Sequence, residues 1–299
     1  MPITINPDSI SQSILKSSPH KGKIKVVQNA LKTFQNWQSD KDDFKLEAAL
    51  KVIVSTDTIA RQVAPELVDF LNDYNQNEEI ERLKKEGDLR NANLSKWDES
   101  QIKILAIKAA LFSPNTKGLK EILLKLYDEI PIGNAENEIP DLEKKFYDLG
   151  DLRLEVVKAF NKVKIDKAVI NMLITALNDK EPRVRLEAAK LLKAQKIDSD
   201  EIIDAFVKQL RDEMIDTSLN HIRMEKFTNQ SKESKAAEIA ILEALAQMGA
   251  KAIRIVPNLV SELNTRSEFS TREHTFDPDC YIAAIKDICN AADLKLKNP

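Results

Sequence analysis

Glycine is scarce in this chain of 299 residues, which contains only six. Average usage of about 7% would give roughly 20. Tight β-hairpins and phosphate-binding loops depend on glycine, because it adopts positive φ angles without a steric penalty. The shortage therefore argues against β-barrels and Gly-rich nucleotide loops, and no P-loop, G-x-G-x-x-G or G-x-S-x-G sequence occurs.

Residue types that bind metals or form disulfides are also few. The two cysteines, Cys280 and Cys289, lie in one predicted helix, so we expect no disulfide framework and a reducing compartment. The three histidines, His20, His221 and His274, fall in separate loop-like regions without the spacing of metal ligands. The sequence thus predicts no catalytic, cofactor-binding or metal-binding residue and favours a non-enzymatic role, although it leaves an enzymatic one open.

Long apolar runs and a basic charge balance are missing too. No stretch approaches the ~18 apolar residues of a membrane-spanning helix, and the first eight residues do not resemble a signal peptide. The net charge is −3 and the pI is near 5.8, whereas nucleic-acid-binding domains typically have a pI above ~9. We therefore expect a cytoplasmic protein with no membrane partner and at most weak, non-specific binding to nucleic acid.

What the chain does contain is a recurring short pattern: two apolar residues, two variable residues, a leucine, a variable residue and an aspartate. Its five copies begin at Leu67, Ile122, Leu173, Phe206 and Leu259, and only the last copy lacks the aspartate. Each copy is predicted to end the second helix of a helical hairpin. Internal repetition of this kind indicates a repeat architecture, in which each hairpin buries its apolar face on its neighbours.

A first helix is predicted before each copy, and the clearest begins at Pro182, since proline is tolerated in a first helical turn. Val184, Ala188 and Leu192 follow the spacing of one buried helical face. We expect Ala188 and Ala189 near the contact between successive repeats, with Leu192 and Leu210 buried.

The same face is expected in other first helices, including residues 44–49, whose sequence Phe-Lys-Leu-Glu-Ala-Ala parallels Val-Arg-Leu-Glu-Ala-Ala at 184–189. A basic residue also recurs in the first helices. Because it follows an aspartate-containing turn, we interpret it as a structural tie between repeats, in preference to a ladder that grips phosphate. These basic residues are Lys45, Lys103, Arg153 and Arg185.

Residues 178–189 resemble the inter-repeat turn and first helix of the HEAT-repeat superfamily, closest to PBS-lyase HEAT-like repeats. The resemblance extends over about residues 40–292. It implies an all-α superhelix, a HEAT-like solenoid of about five helical pairs with terminal caps. The predicted pairs are 43–73, 99–128, 151–179, 182–212 and 233–264.

The predicted domain organisation is a single α-solenoid over residues 1–299. An N-terminal cap covers 1–40, the five pairs cover 41–264 and a C-terminal capping helix covers 265–299. The repeat unit is about 33 residues between the leucines Leu177 and Leu210, and three other units are longer. The extra length is predicted to form inserts between one pair and the next, along one edge of the solenoid, at 74–98, 129–150 and 213–232.

We expect the protein to be an interaction scaffold that binds a protein partner through its concave surface or its insert edge, since solenoids create extended binding surfaces. Aromatic and arginine residues dominate binding hot spots, which makes Trp97, Arg223 and Phe227 candidate contacts. The alternative for Trp97 is that it pins its insert onto the second repeat.

The resemblance keeps two other functions open. PBS-lyase HEAT-like proteins include lyases that attach bilin chromophores to phycobiliprotein cysteines, although no specific residue here carries that likeness. HEAT-like DNA glycosylases offer the second alternative, a DNA-handling role, which the acidic charge balance disfavours.

Overall fold

The protein is helical throughout the part of the chain that the structure, a computed structural model, describes. Of these residues 83% are in helices and none forms a strand, so the all-α prediction is confirmed. Within them, no helix has the length and apolar character needed to span a bilayer. The described residues are 21–40, 42–74, 82, 85–87, 89–130, 150–196, 199–220, 228–269 and 278–297.

The chain divides into two compact units, residues 1–164 and 165–299. In the first unit α3 packs between α1 and α6, while α6 also packs against α5 and α8. The helices of this unit are α1 (Lys21–Gln35), α2 (Trp37–Asp40), α3 (Asp43–Val54), α4 (Asp57–Gln62), α5 (Ala64–Asp73), α6 (Leu89–Ala110), α7 (Leu119–Glu129) and α8 (Gly150–Ala159).

In the second unit α10 packs extensively on α12, and α12 packs on α14. α9 packs on α10, and α13 together with a short 3-10 helix packs on α14. The helices are α9 (Lys167–Ala176), α10 (Pro182–Ala194), α11 (Asp200–Asn220), α12 (Thr228–Met248), the 3-10 helix (Gly249–Ile255), α13 (Val256–Phe269) and α14 (Pro278–Lys297).

Helices lie in all five predicted pair ranges, and Pro182 begins α10 as expected. The inserts are more helical than the sequence suggested: α6 already begins at Leu89, α11 continues to Asn220 and α12 begins at Thr228. Helix extension thus supplies part of the additional length at 74–98 and 213–232. Most of the insert 129–150 lies outside the described residues, and the single-solenoid organisation stays a prediction.

Packing around α10 follows the sequence pattern. Ala188, Ala189 and Leu192 are fully buried, and Leu210 on α11 is 1% exposed, which confirms their predicted burial. Burying a leucine side chain contributes about 1.5–3 kcal/mol, so Leu192 and Leu210 help to stabilise the core of the second unit.

The predicted face of α3 is wrong. Residue 44 was expected to be buried like Val184, yet Phe44 is 85% exposed and Ala48 is exposed as well. The buried residues of α3 are instead Leu46, Ala49, Leu50 and Ile53. Their spacing of i, i+3, i+4 and i+7 forms a helical stripe of its own, and it is this stripe that packing between α1 and α6 covers.

Candidate functional site

Phe44 is the most exposed large hydrophobic residue in the described part of the chain, at 85%, followed by Val26 at 54%. A single exposed apolar side chain is ordinary on a protein surface. A phenylalanine side chain that is almost fully exposed is less common, because burying it would stabilise the protein by about 1.5–3 kcal/mol. Its surroundings therefore decide whether it marks a binding surface.

The start of α3, where Phe44 lies, is held by a helix cap. The Asp42 side chain accepts a hydrogen bond from the Lys45 backbone N–H at 3.1 Å, and Lys45 Nζ lies 2.9 Å from Asp42 Oδ2. Side-chain and then backbone hydrogen bonds from Lys45 lower the pKa of Asp42. Aspartate at an N-cap satisfies otherwise unpaired N–H groups, so the sequence itself fixes where α3 begins.

A cluster of aromatic rings is hydrogen-bonded to the same end of α3. Trp37 meets Phe70 and Tyr74 edge-on, with ring centroids 4.9 and 5.8 Å apart, and Phe70 stacks on Tyr74 at 4.8 Å. The Tyr74 hydroxyl donates a 2.8 Å hydrogen bond to Asp43 Oδ1. Aromatic pairs of this geometry add about 0.5–1.5 kcal/mol beyond their burial. Asp43, next to Phe44, is thus anchored to a rigid base.

Carboxylates of α3 and α6 lie close enough to influence one another. Partial burial, followed by repulsion from Asp43 and Glu47 on α3, raises the pKa of Asp98 on α6. Within the described residues, Asp98 forms no hydrogen bond or ion pair, whereas Glu47 is paired with Lys51 at 2.6 Å. The packing of α3 against α6 therefore brings Asp98 near the carboxylates of Asp43 and Glu47.

We call this surface the Phe44 edge, and it comprises Phe44 and Ala48 together with the carboxylates of Asp43, Glu47 and Asp98. It combines an exposed apolar ring with acidic side chains on a well-anchored helix. In the described ranges no three His, Cys, Asp or Glu side chains are arranged to hold a metal ion. The chemistry that the Phe44 edge offers is recognition: apolar contact beside charged side chains.

Comparison with known proteins identified no relative of this chain. No family model matches the chain, and neither the curated proteins nor the solved structures gave a match. The resemblance to HEAT repeats stays an interpretation of the sequence.

Of the three candidate contacts chosen from the sequence, only Trp97 has a described backbone. The backbone of Trp97 belongs to α6, directly before Asp98, but its side chain is not among the described ones. Arg223 and Phe227 lie outside the described residues. Whether the three lie together is thus outside what the structure describes, and their role stays a prediction.

Sequence reasoning missed Phe44 and Asp98. A signal for Phe44 was present, because the apolar stripe through Leu46, Leu50 and Ile53 already forms a complete buried face that excludes residue 44. Asp98 had no such signal. Its importance comes from the contact between α3 and α6, which joins residues some 50 positions apart.

Proposed function

We propose that this protein is a non-enzymatic interaction scaffold, a HEAT-like solenoid of helical pairs that binds a protein partner at the Phe44 edge. The observation that carries the proposal is the exposure of Phe44, at 85%, on a helix end that a cap and an aromatic cluster hold in place. Repeated helical pairs commonly present such surfaces to partners.

The Phe44 edge has the composition of a small docking site. Interfaces place aromatic anchors at their centre and polar groups at the rim. Here the ring of Phe44 would be the anchor, and Asp43, Glu47 and Asp98 would form part of the rim. Because the Tyr74 hydroxyl and the Asp42 cap already order this helix end, binding loses little conformational entropy.

A larger contact area can extend from the Phe44 edge along α6. Specific interfaces bury about 800 Å² on each partner, which is more than one aromatic ring provides. Trp97 directly precedes Asp98 in α6, so its side chain is a candidate for the extended contact. This proposal retains Trp97 from the sequence-based set, while Arg223 and Phe227 belong to the alternative insert-edge contact.

Affinity capture from the native source tests the proposal. The wild-type chain, Phe44→Ala and a matched control, Ile282→Ala, would be compared at equal loading; Ile282 is an exposed aliphatic residue on α14. We expect at least one protein that the wild type and the control retain equally and that Phe44→Ala retains about tenfold less, as for an interface anchor. Equal retention by all three would refute docking at the Phe44 edge.

A further inference from the structure

We propose that the turns after α6 and α8 form a second docking surface, and that its partner is an acidic segment of another protein, whose carboxylates meet exposed lysines. We call this surface the lysine edge, and it comprises Lys117, Lys158, Lys162 and Lys164. The inference goes beyond the proposed function, because it involves none of the residues of the Phe44 edge.

Carboxylates are missing from both stretches of chain that supply these lysines. No aspartate or glutamate lies between Glu99 and Glu121, or between Glu155 and Asp166. The side chains of both stretches are described throughout, and the four lysines of the lysine edge are exposed. Within the described residues, their ammonium groups form no hydrogen bond or ion pair. The four lysines are therefore available to an anionic partner.

The two turns lie next to each other in the first unit. α6 packs against α8, and Lys108 Nζ lies 3.8 Å from Glu155 Oε2. Lys108 belongs to the last turn of α6, which ends at Ala110, and Glu155 lies four residues before the end of α8 at Ala159. Since a helix rises about 1.5 Å per residue, both helix ends lie within roughly 6 Å of this ion pair along their helices. The lysines that follow the two helices thus share one edge.

Buried side chains and hydrogen bonds fix the backbone of both turns. In the turn after α8, Phe160 is fully buried and Val163 is 8% exposed. In the turn after α6, the Thr116 hydroxyl donates a 2.7 Å hydrogen bond to the Ser113 carbonyl oxygen. Because the backbone that carries the lysines is already ordered, binding of a partner costs little conformational entropy in the backbone.

Stabilisation of helix ends does not explain most of these lysines. A cation in the last turn of a helix interacts favourably with the helix dipole, which accounts for Lys158 on α8. Lys162 and Lys164 lie beyond the end of that helix. Lys117 directly precedes Gly118, the N-cap of α7, where the dipole repels a positive charge. A role in binding explains why lysine occupies these positions.

The composition of the two turns favours carboxylates over a nucleic acid. Single-stranded nucleic acids bind to exposed aromatic rings as well as to cations, and arginine is the residue that grips a phosphate with two hydrogen bonds. Residues 100–120 and 156–165 contain no arginine, tryptophan or tyrosine, and Phe160 is buried. Four lysines on neighbouring turns suit a short run of carboxylates, whereas DNA-binding proteins commonly neutralise about six to ten phosphates.

Fluorescence anisotropy with the full chain tests this partner. Two labelled peptides of about ten residues are compared, each long enough to span about 33 Å when extended. One alternates glutamate with serine, and the other has glutamine in place of each glutamate. We expect the glutamate peptide to bind and to weaken as salt is raised. The glutamine peptide should bind at least about tenfold more weakly.

Substitutions in the full chain then locate the peptide. The double variant Lys117→Gln with Lys162→Gln removes one lysine from each turn and should weaken the glutamate peptide about fivefold. The matched control, Lys190→Gln with Lys208→Gln, removes two exposed lysines of the second unit. It makes the same change in net charge and should leave binding as in the wild type. Circular dichroism of each variant verifies that the fold is intact.

Each other outcome contradicts the inference. Binding of neither peptide, or equal binding of both, overturns it, and so does an equal loss in the two double variants, which would reflect net charge alone. The acidic residues of 131–149 are present in the full chain, so if they cover the lysines, the glutamate peptide does not bind and the inference falls.

Two further measurements separate this inference from its alternatives. If single-stranded DNA of about ten nucleotides binds more tightly than the glutamate peptide and loses affinity in Lys117→Gln with Lys162→Gln, the partner is a nucleic acid and the inference is wrong. Phe44→Ala should leave the glutamate peptide bound as in the wild type. A loss in Phe44→Ala would place the peptide away from the lysine edge, whereas capture of a partner at the Phe44 edge decides only the proposed function.

Discussion

Helices α3 and α10 share the order of their residue types but differ in what they bury. Residues 44–49 and 184–189 read Phe-Lys-Leu-Glu-Ala-Ala and Val-Arg-Leu-Glu-Ala-Ala. On α10 the first and fifth of these positions, Val184 and Ala188, are fully buried. On α3 the same positions are exposed, and Leu46 and Leu50 are buried instead. The two helices therefore bury different faces, although their residue types follow the same order.

The basic residue of the pattern shows the same contrast. Arg185 is 3% exposed, and its Nη1 donates hydrogen bonds to the carbonyl oxygens of Asp179 and Lys180 at 2.8 and 3.0 Å. Lys45 is exposed and pairs with Asp42 within its own helical turn. Arg185 thus has the structural role expected from the sequence, whereas Lys45 contributes to a local cap.

The difference teaches that neighbouring elements, more than the residues of the helix itself, decide which stripe becomes core. Each of the two helices has more than one apolar stripe to offer. α10 packs against α9 and α12, whereas α3 packs against α1, α4 and α6. In the first unit this leaves Phe44 and Ala48 exposed.

The largest effect should come from a charge placed at equivalent alanines. Ala188→Asp puts a carboxylate at a fully buried position of α10, where an unpaired charge costs about 3–5 kcal/mol. Ala48→Asp lies on the exposed stripe of α3 and should change stability by less than about 0.5 kcal/mol. Urea unfolding followed by circular dichroism measures both.

Tryptophan fluorescence separates the two units in this experiment, because both tryptophans, Trp37 and Trp97, belong to residues 1–164. We expect Ala188→Asp to shift the circular dichroism transition toward lower urea. If Ala48→Asp shifted the fluorescence transition as strongly, residue 48 would be buried in solution and the contrast between α3 and α10 would disappear.

A smaller effect is expected for the basic residue. Arg185→Met removes two charge-assisted hydrogen bonds to the turn before α10 and leaves the buried Asp179 without one of its contacts, at a cost of about 2–3 kcal/mol. Lys45→Met removes only an exposed ion pair, and such pairs add little to stability. Equal urea midpoints for Arg185→Met and the wild type would show that the buried arginine does not stabilise this turn.

Truncation of the first position in each pattern should have a weaker effect still. Val184→Ala removes two buried methyl groups at about 0.8 kcal/mol each, so a loss of about 1.5–2 kcal/mol is expected. Phe44→Ala removes a larger side chain that touches mainly water, and its loss should stay within about 0.5 kcal/mol. A loss above 1 kcal/mol for Phe44→Ala, read from the fluorescence transition, would place the ring in the core.

The sequence predicted the helices well, because helical periodicity and capping are local properties. Pro182 at the start of α10 and the buried Leu210 follow from spacing alone. The exposed Phe44 and the approach of Asp98 to Asp43 do not, because each depends on packing between helices distant in the chain. Residues 213–220 belong to an insert that the sequence places between two helical pairs, yet they prolong α11. The repeat pattern could not predict this, because it does not limit the length of a helix.

The smallest expected effect concerns Asp98, a carboxylate of α6 that lies near Asp43 and Glu47 of α3. Partial burial and the carboxylates of Asp43 and Glu47 raise its pKa above 3.8, the ordinary value for an aspartate. The folded protein therefore holds this proton to a higher pH than the unfolded chain does. As pH falls from neutral through the raised pKa, the fold gains stability from this group; as pH rises again, the gain is lost.

Asp98→Asn removes that titration, so the variant should lack the contribution to the unfolding free energy that decreases as pH rises in the range just above 3.8. At neutral pH the variant should be slightly more stable than the wild type, because it no longer has a partly buried charge that Asp43 and Glu47 also repel. Asp128→Asn is the control for loss of a negative charge, since this carboxylate is exposed on α7. Urea midpoints read from tryptophan fluorescence at several pH values measure how the stability of each protein changes with pH. If Asp98→Asn and the wild type showed the same pH dependence, the pKa of Asp98 would not be raised in the folded protein, and the packing of α6 beside α3 would not act on this carboxyl group.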